Sequence, residues 1–140
     1  MNASDTCLSA IKGWEGCELS VYSDLNGFPT IGYGHKLTHS DIVSGKFSSP
    51  ITEDQADTLF DQDVAPFETQ VNGLGLTLTQ GQFDALFDFD YNLGINNLKV
   101  MLSHGIDQVP QQLPRWVHAA GVVESGLVTR RNTEIQWWNS

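Results

Sequence analysis

The N-terminal segment has the apolar spacing of a helix. Apolar residues recur on one predicted face at every third position: Leu8, Ile11 and Trp14. Ser4 or Asp5 is suited to cap the start of such a helix, and Gly16 is typical of the position that ends one. The pattern therefore predicts a helix whose last residue is Glu15.

After this helix the period of the pattern changes to two. Alternation runs through Leu19 and Val21 and resumes over residues 28–34. Between the two runs stands Asn26-Gly27, a favoured two-residue turn. A β-hairpin centred on that turn would bring Asp24 and Thr30 close together, where they could hold one water between them.

The second strand of this hairpin has an unusual composition. Thr30, Gly32 and Gly34 share one face because side chains alternate along a strand, and a glycine-lined face lets a ligand approach the backbone. Pro29 cannot donate to a strand ladder, so it belongs at a sheet edge or at the start of a strand. We expect a short edge hairpin that borders a cleft.

The remainder of the chain returns to helical periodicity. Two segments open with capping boxes, Thr52 to Gln55 and Thr79 to Gln82. Apolar stripes follow them: Ala56, Leu59, Phe60 and Val64 in the first, then Phe83, Leu86, Phe87 and Tyr91 in the second. Asp88 and Asp90 interrupt the second stripe, and we expect them to face solvent or to loosen that helix.

Composition and charge exclude several classes of protein. A chain of 140 residues with 40% hydrophobic content can form one domain, or two lobes that share one core. The formal charge of −10 repels nucleic acid and anionic membrane surfaces. We expect no signal peptide and no segment able to span a bilayer.

The cysteines and histidines carry no evident chemistry. Along a helix, Cys7 and Cys17 would lie about 13 to 15 Å apart, too far for a disulfide, so two free thiols are expected and an intermolecular bridge stays open. The histidines lack the spacing of a metal site, because Lys36 stands where a zinc protease motif needs glutamate. We expect His35 to make a structural hydrogen bond or ion pair.

The candidate chemistry lies in Glu15, Asp24 and Thr30. The negative end of a helix dipole favours the protonated carboxyl that a general acid needs, and Glu15 is predicted at such an end. A second carboxylate and a hydroxyl on the hairpin could position a water, so the three residues suit hydrolysis of a glycosidic bond. An inverting enzyme separates its carboxyls by roughly 6.5 to 9.5 Å and a retaining one by about 5 to 5.5 Å.

Longer motifs resemble those of the phage lysozyme family. They are Tyr22-x-Asp24, Thr30-Ile31-Gly32-Tyr33-Gly34-His35, Leu78-Thr79-Gln80-Gly81-Gln82-Phe83-Asp84-Ala85-Leu86, and Gly126-Leu127-Val128-Thr129-Arg130-Arg131. The resemblance implies an inverting mechanism with Glu15 as acid and with Asp24 and Thr30 holding the water. It also implies substrate binding by Gly32, Tyr33 and Arg131, the last facing Glu15 across the cleft, with Arg130 as the second choice.

The resemblance further implies a lysozyme-like α+β fold, mainly α, in a single catalytic domain over residues 1–140. A small β-hairpin lobe would cover about 15–50, a connecting helix about 52–72 and a helical C-terminal lobe about 73–140, with the glycan in the groove between the lobes.

The implied activity is that of an endolysin. Such a muramidase hydrolyses the β-1,4 bond between N-acetylmuramic acid and N-acetylglucosamine in bacterial peptidoglycan, without a cofactor or metal. We expect a monomer, made in the host cytoplasm, that acts at the periplasmic cell wall after release. Two alternatives stay open: a catalytically silent peptidoglycan-binding protein, and a glycosidase of a related aminosugar polymer such as chitin.

Overall fold

The computed structural model describes residues 1–140 and is α+β with mostly helical content. The helices are α1 (Asp5–Glu15), α2 (His39–Ser44), α3 (Glu53–Asn72), α4 (Gln80–Leu93), α5 (Ile95–Leu102), α6 (Val109–Gln112) and α7 (Ser125–Trp138). The strands are β1 (Glu18–Ser23), β2 (Pro29–Gly32), β3 (His35–Lys36), β4 (His118–Ala119) and β5 (Val122–Val123). None of the helices combines the length and apolar composition needed to cross a bilayer.

Helix α1 has the predicted limits. Ser4 Oγ accepts a hydrogen bond from the Cys7 amide at 3.2 Å, which caps the first turn. Gly16 adopts a left-handed backbone with φ of +71°, and its amide donates to the Lys12 carbonyl at 2.9 Å. Glu15 is therefore the last helical residue, as the pattern predicted.

The hairpin differs from the prediction in its turn. The backbone carbonyl of Asp24 accepts a hydrogen bond from the Gly27 amide at 3.0 Å. The loop is therefore three residues long, and its last residue is Gly27, with φ of +82°. Tyr22 consequently pairs with Thr30, and Asp24 lies opposite Phe28 rather than beside Thr30.

The second strand is also shorter than predicted. Gly32 and Gly34 have φ of +65° and +80°, so the chain turns back there and forms β3 instead of continuing the strand. The sheet order is β1-β2-β3, which makes β2 the central strand and not an edge. Pro29 is tolerated because it is the first residue of β2.

Both predicted capping boxes are confirmed. The Thr52 amide donates to Gln55 Oε1 at 2.9 Å and the Gln55 amide to Thr52 Oγ1 at 3.1 Å. Thr79 and Gln82 repeat the arrangement at the start of α4. The predicted stripes are buried, except that Tyr91 is half-buried: Ala56, Leu59, Phe60 and Val64 on α3, and Phe83, Leu86 and Phe87 on α4.

Contacts divide the chain into two compact units. The sheet unit is Leu8–Pro66, and its core is built on Ile31, Phe47 and Leu59. The helical unit is Met1–Cys7 with Phe67–Ser140, and its buried residues include Phe87, Phe89, Leu98, Met101, Val109 and Leu113.

The expectation for Asp88 and Asp90 is wrong, because both are fully buried in α4. Asp88 Oδ1 lies 2.6 Å from Arg130 Nη2, so a cation from α7 compensates its charge. With the side-chain amide of Gln70 oriented so that its nitrogen faces Asp90, that nitrogen donates a hydrogen bond to Asp90 Oδ2 at 2.7 Å. Burial raises the pKa of Asp90 to about 6.

Both cysteines are free thiols, as predicted. Cys7 is fully buried in the helical unit, and its Sγ lies 3.7 Å from the Asp84 carbonyl oxygen. Burial, reinforced by the negative charge of Asp84, raises the pKa of the Cys7 thiol far above its ordinary value. Cys17 is only half-buried.

Candidate active site

Glu15 packs against the turn that joins β2 to β3. A Cβ built on Gly34 would lie 2.8 Å from Glu15 Oε2 and 3.3 Å from its carboxyl carbon. Gly34 also has a φ of +80°, a backbone conformation that residues with a side chain rarely adopt. Glycine at this position therefore leaves room for the carboxyl group of the candidate acid.

The same turn carries Gly32 and Tyr33, the other predicted substrate-binding residues. The Tyr33 ring meets Phe60 edge-to-face, with centroids 5.8 Å apart. Lys12 Nζ stands 5.1 Å from the centre of the Tyr33 ring and 2.9 Å from Asp57 Oδ1. Partial burial and the neighbouring Cys17 thiol raise the pKa of Tyr33, so its hydroxyl stays neutral and can donate. The turn is thus packed against Phe60 and Lys12.

Asp24 is anchored by the backbone of the hairpin loop. Its Oδ1 accepts from the Phe28 amide and from the Asn26 amide, each at 2.8 Å. Lys36 Nζ approaches the other oxygen, Oδ2, at 3.6 Å. The Phe28 amide first, then the Asn26 amide and the Lys36 charge, hold the pKa of Asp24 below its usual value. Asp24 is therefore a carboxylate at neutral pH.

Thr30 lies in the central strand and is only 2% exposed. Its hydroxyl donates to the Phe28 carbonyl at 2.9 Å, and its backbone pairs with Tyr22 on one side and with Lys36 on the other. Phe28 thus links the two predicted water-positioning residues, because its amide binds Asp24 and its carbonyl binds Thr30. The hydroxyl oxygen of Thr30 keeps lone pairs for a water.

His35 makes the structural contacts that the sequence led us to expect. Its Nδ1 lies 2.9 Å from Asp63 Oδ2, and its Nε2 lies 3.2 Å from Asp41 Oδ2. Asp41 also accepts from the Thr38 amide at 2.9 Å, and this bond is the main reason that its pKa is lowered. Two carboxylates therefore fix the residue that follows Gly34.

Arg131 is placed inside the helical unit. It is fully buried, and its Nη2 lies 2.6 Å from Glu134 Oε1 and 2.9 Å from Asn92 Oδ1. Its guanidinium also stands 5.0 Å from the centre of the Phe89 ring. A direct contact with a glycan would require the side chain to leave this network. Arg130, the second choice, is held by the buried Asp88.

Sequence reasoning missed Lys36. Its nearness to Asp24 depends on the short turn at Gly32 and Gly34, which returns β3 to the side of β2. The signal available in the sequence was the pair of glycines flanking Tyr33, because such spacing suits a tight turn as well as a strand face.

The family model described as Phage lysozyme matches residues 12–134. The endolysin of Bacillus phage PZA is 36% identical over 100% of this chain and 56% of its own length, so the chain spans about half of that relative. The endolysin from Escherichia coli O157:H7 phage FAHEc1 superposes with a TM-score of 0.77 at 30% identity, covering 99% of this chain and 93% of that one.

A further solved structure is the muramidase domain of SpmX from Asticaccaulis excentricus, with a TM-score of 0.78 at 28% identity. It covers 99% of this chain and 98% of that chain. These likenesses confirm the predicted lysozyme-like α+β fold.

Proposed function

The chain belongs to the phage lysozyme family, and we propose that it is a muramidase that hydrolyses the β-1,4 bond between N-acetylmuramic acid and N-acetylglucosamine in bacterial peptidoglycan. The observation that carries this proposal is the pair of carboxyl groups in different surroundings, with Glu15 at a helix end and Asp24 fixed in a hairpin loop. Two carboxyls with separate environments can take the separate roles of acid and base in glycoside hydrolysis.

Glu15 acts as the general acid. It stands at the C-terminal end of α1 and packs against the turn that joins β2 to β3. Gly34 leaves its carboxyl group room at the turn. The proton passes to the glycosidic oxygen as the bond to the leaving sugar breaks.

Asp24 positions the attacking water and receives its proton. Its backbone hydrogen bonds and the Lys36 ammonium stabilise the carboxylate, which makes it a weak base. Its main contribution is therefore to orient the water and to stabilise the positive charge that develops on the sugar ring. Thr30, hydrogen-bonded to the same Phe28 backbone, offers a hydroxyl oxygen to that water.

The proposed mechanism inverts the anomeric configuration, with water attacking the face opposite the leaving group. The turn at Gly32 and Tyr33 offers the phenol hydroxyl of Tyr33 to the substrate, whereas Gly32 is buried and faces Ala56. NMR of the first-formed anomer checks this: an α product supports inversion, and a β product supports retention.

The activity is tested by turbidity loss of purified peptidoglycan with the wild type, Glu15→Gln and Asp24→Asn. Lys46→Gln is the matched control, because Lys46 lies over the Phe47 ring on the same unit. We expect turnover by the wild type and the control, and at least a hundredfold loss in both site variants. Wall binding without turnover by the wild type would favour a silent binding protein, and preferential cleavage of chitin would favour the chitin-type glycosidase.

The proposed partner is peptidoglycan alone, bound by a monomer that acts at the bacterial wall after release from the cell where it is made. The formal charge of −10 disfavours nucleic acid and anionic lipid as further partners.

A further inference from the structure

A lysine, an aromatic ring and a carboxylate meet on the hairpin. The Lys36 ammonium stands 5.2 Å from the centre of the Phe28 ring and 3.6 Å from Asp24 Oδ2. The Phe28 amide donates to Asp24 Oδ1 at 2.8 Å. The ring thus holds the cation while the backbone of the same residue holds the carboxylate.

Cationic side chains are scarce in the sheet unit, where this arrangement lies. The sheet unit contains three lysines and no arginine against nine carboxylate side chains. Lys12 is paired with Asp57 at 2.9 Å, and Lys46 lies over the Phe47 ring. Of these three lysines, Lys36 is the one whose charge stabilises the Asp24 carboxylate.

We propose that Lys36 is a positioning residue for hydrolysis, which holds the Oδ2 atom of Asp24 in place so that the attacking water is kept in one orientation. This inference rests on the proposed function. Lys36 does not touch the reacting atoms in this role, because it acts through Asp24.

A titratable hydroxyl also lies near Asp24. Tyr22 on β1 is the nearby titratable hydroxyl, and burial together with the charges of Glu15, Glu18 and Asp24 raises its pKa. Tyr22 therefore stays neutral in the range where the enzyme would work. Lys36 supplies a positive charge that acts on the Asp24 carboxylate.

The inference is tested with Lys36→Gln and Lys36→Arg, with Lys46→Gln as the control. The first readout is the titration of the Asp24 carboxyl by ¹³C NMR, which needs no turnover. A nearby ammonium favours the ionised form of a carboxyl, even on a lysine that is 63% exposed. We expect the Asp24 midpoint to move up in Lys36→Gln and to stay in Lys36→Arg and Lys46→Gln.

The second readout is kinetic, on soluble peptidoglycan fragments. In Lys36→Gln, the acid limb of kcat/KM should move up with the Asp24 midpoint, and kcat should fall several-fold with KM little changed. Lys36→Arg should recover most of kcat. High salt should narrow the difference between wild type and Lys36→Gln, because the ammonium is screened.

Phe28→Leu gives an independent check. It removes the aromatic face but keeps an apolar side chain and the backbone amide that binds Asp24. We expect a shift of the Asp24 midpoint in the same direction as Lys36→Gln and smaller, since the ammonium is then free to turn away.

An unchanged Asp24 midpoint in Lys36→Gln would overturn the inference. A rise in KM with unchanged kcat would overturn it too, because Lys36 would then bind substrate. Failure of the proposed function is separate: the wild type would show no turnover while the Asp24 midpoint still responded to Lys36→Gln.

Discussion

Replacing Gly34 by alanine tests how the fold sets the position of the candidate acid. The new Cβ would lie 2.8 Å from Glu15 Oε2 and 3.3 Å from the carboxyl carbon. Gly34 is also held at a φ of +80° by the return of the chain from β2 to β3. The substitution therefore strains the backbone and displaces the Glu15 carboxyl group.

The size of both effects follows from the structure. Ordinary contact begins at 3.4 Å, so Oε2 must retreat by at least 0.6 Å, the difference between 3.4 and 2.8 Å. Since a misplacement of about 1 Å can cost roughly a hundredfold in rate, we expect kcat to fall about tenfold or more. The left-handed backbone costs about 1–2 kcal/mol of folding free energy for a residue with a Cβ.

The assay compares Gly34→Ala with Gly45→Ala. Gly45 ends α2 with φ of +66°, and a Cβ there would meet only Ser48 Oγ, at 4.0 Å. Urea unfolding should show a similar loss of stability in both variants, while peptidoglycan turnover falls only in Gly34→Ala. Full kcat in Gly34→Ala, at a stability equal to that of Gly45→Ala, would refute the argument that Gly34 sets the position of Glu15.

Three further predictions concern buried groups. Asp88→Asn should lower the free energy of unfolding by about 3–5 kcal/mol in urea titrations, because it breaks the buried ion pair between Asp88 and Arg130. Asp90 binds a proton more tightly in the folded state, with a pKa of about 6, so stability should fall as pH rises from about 4 through 6. Asp90→Asn should flatten that fall and be the more stable protein above pH 6. A thiol reagent should modify Cys17 in the native protein and reach Cys7 only in denaturant, since Cys7 is fully buried and its pKa is raised.

The helices could be predicted from the sequence because their signals are local. The caps at Ser4, Thr52 and Thr79 and the terminator Gly16 each lie within a few residues of the groups that they bind. The position of Glu15 at a helix end follows from such signals.

The hairpin could be predicted only in part. Alternation of apolar and polar residues is equally consistent with a continuous strand and with two strands joined at Gly32 and Gly34. The positive φ values of those glycines decide between them, and no pattern of hydrophobicity encodes a φ value. The position of Lys36 beside Asp24 depends on that turn, so it was missed.

Buried charges were the least predictable feature. Asp88 and Asp90 looked like solvent-facing interruptions of an apolar stripe. Asp88 is buried because Arg130, forty-two residues later in the chain, supplies the opposite charge, and Asp90 because Gln70 supplies a donor. Helical periodicity describes only one element at a time and cannot reveal a partner from another helix.

The most direct test of the proposed muramidase is the identity of the new reducing end in digested peptidoglycan. Products of the wild type and of Glu15→Gln would be reduced with borohydride and analysed by mass spectrometry. The proposal predicts muropeptides that end in reduced N-acetylmuramic acid with the wild type, and none with Glu15→Gln. Products that end in reduced N-acetylglucosamine, or equal release by Glu15→Gln, would contradict it.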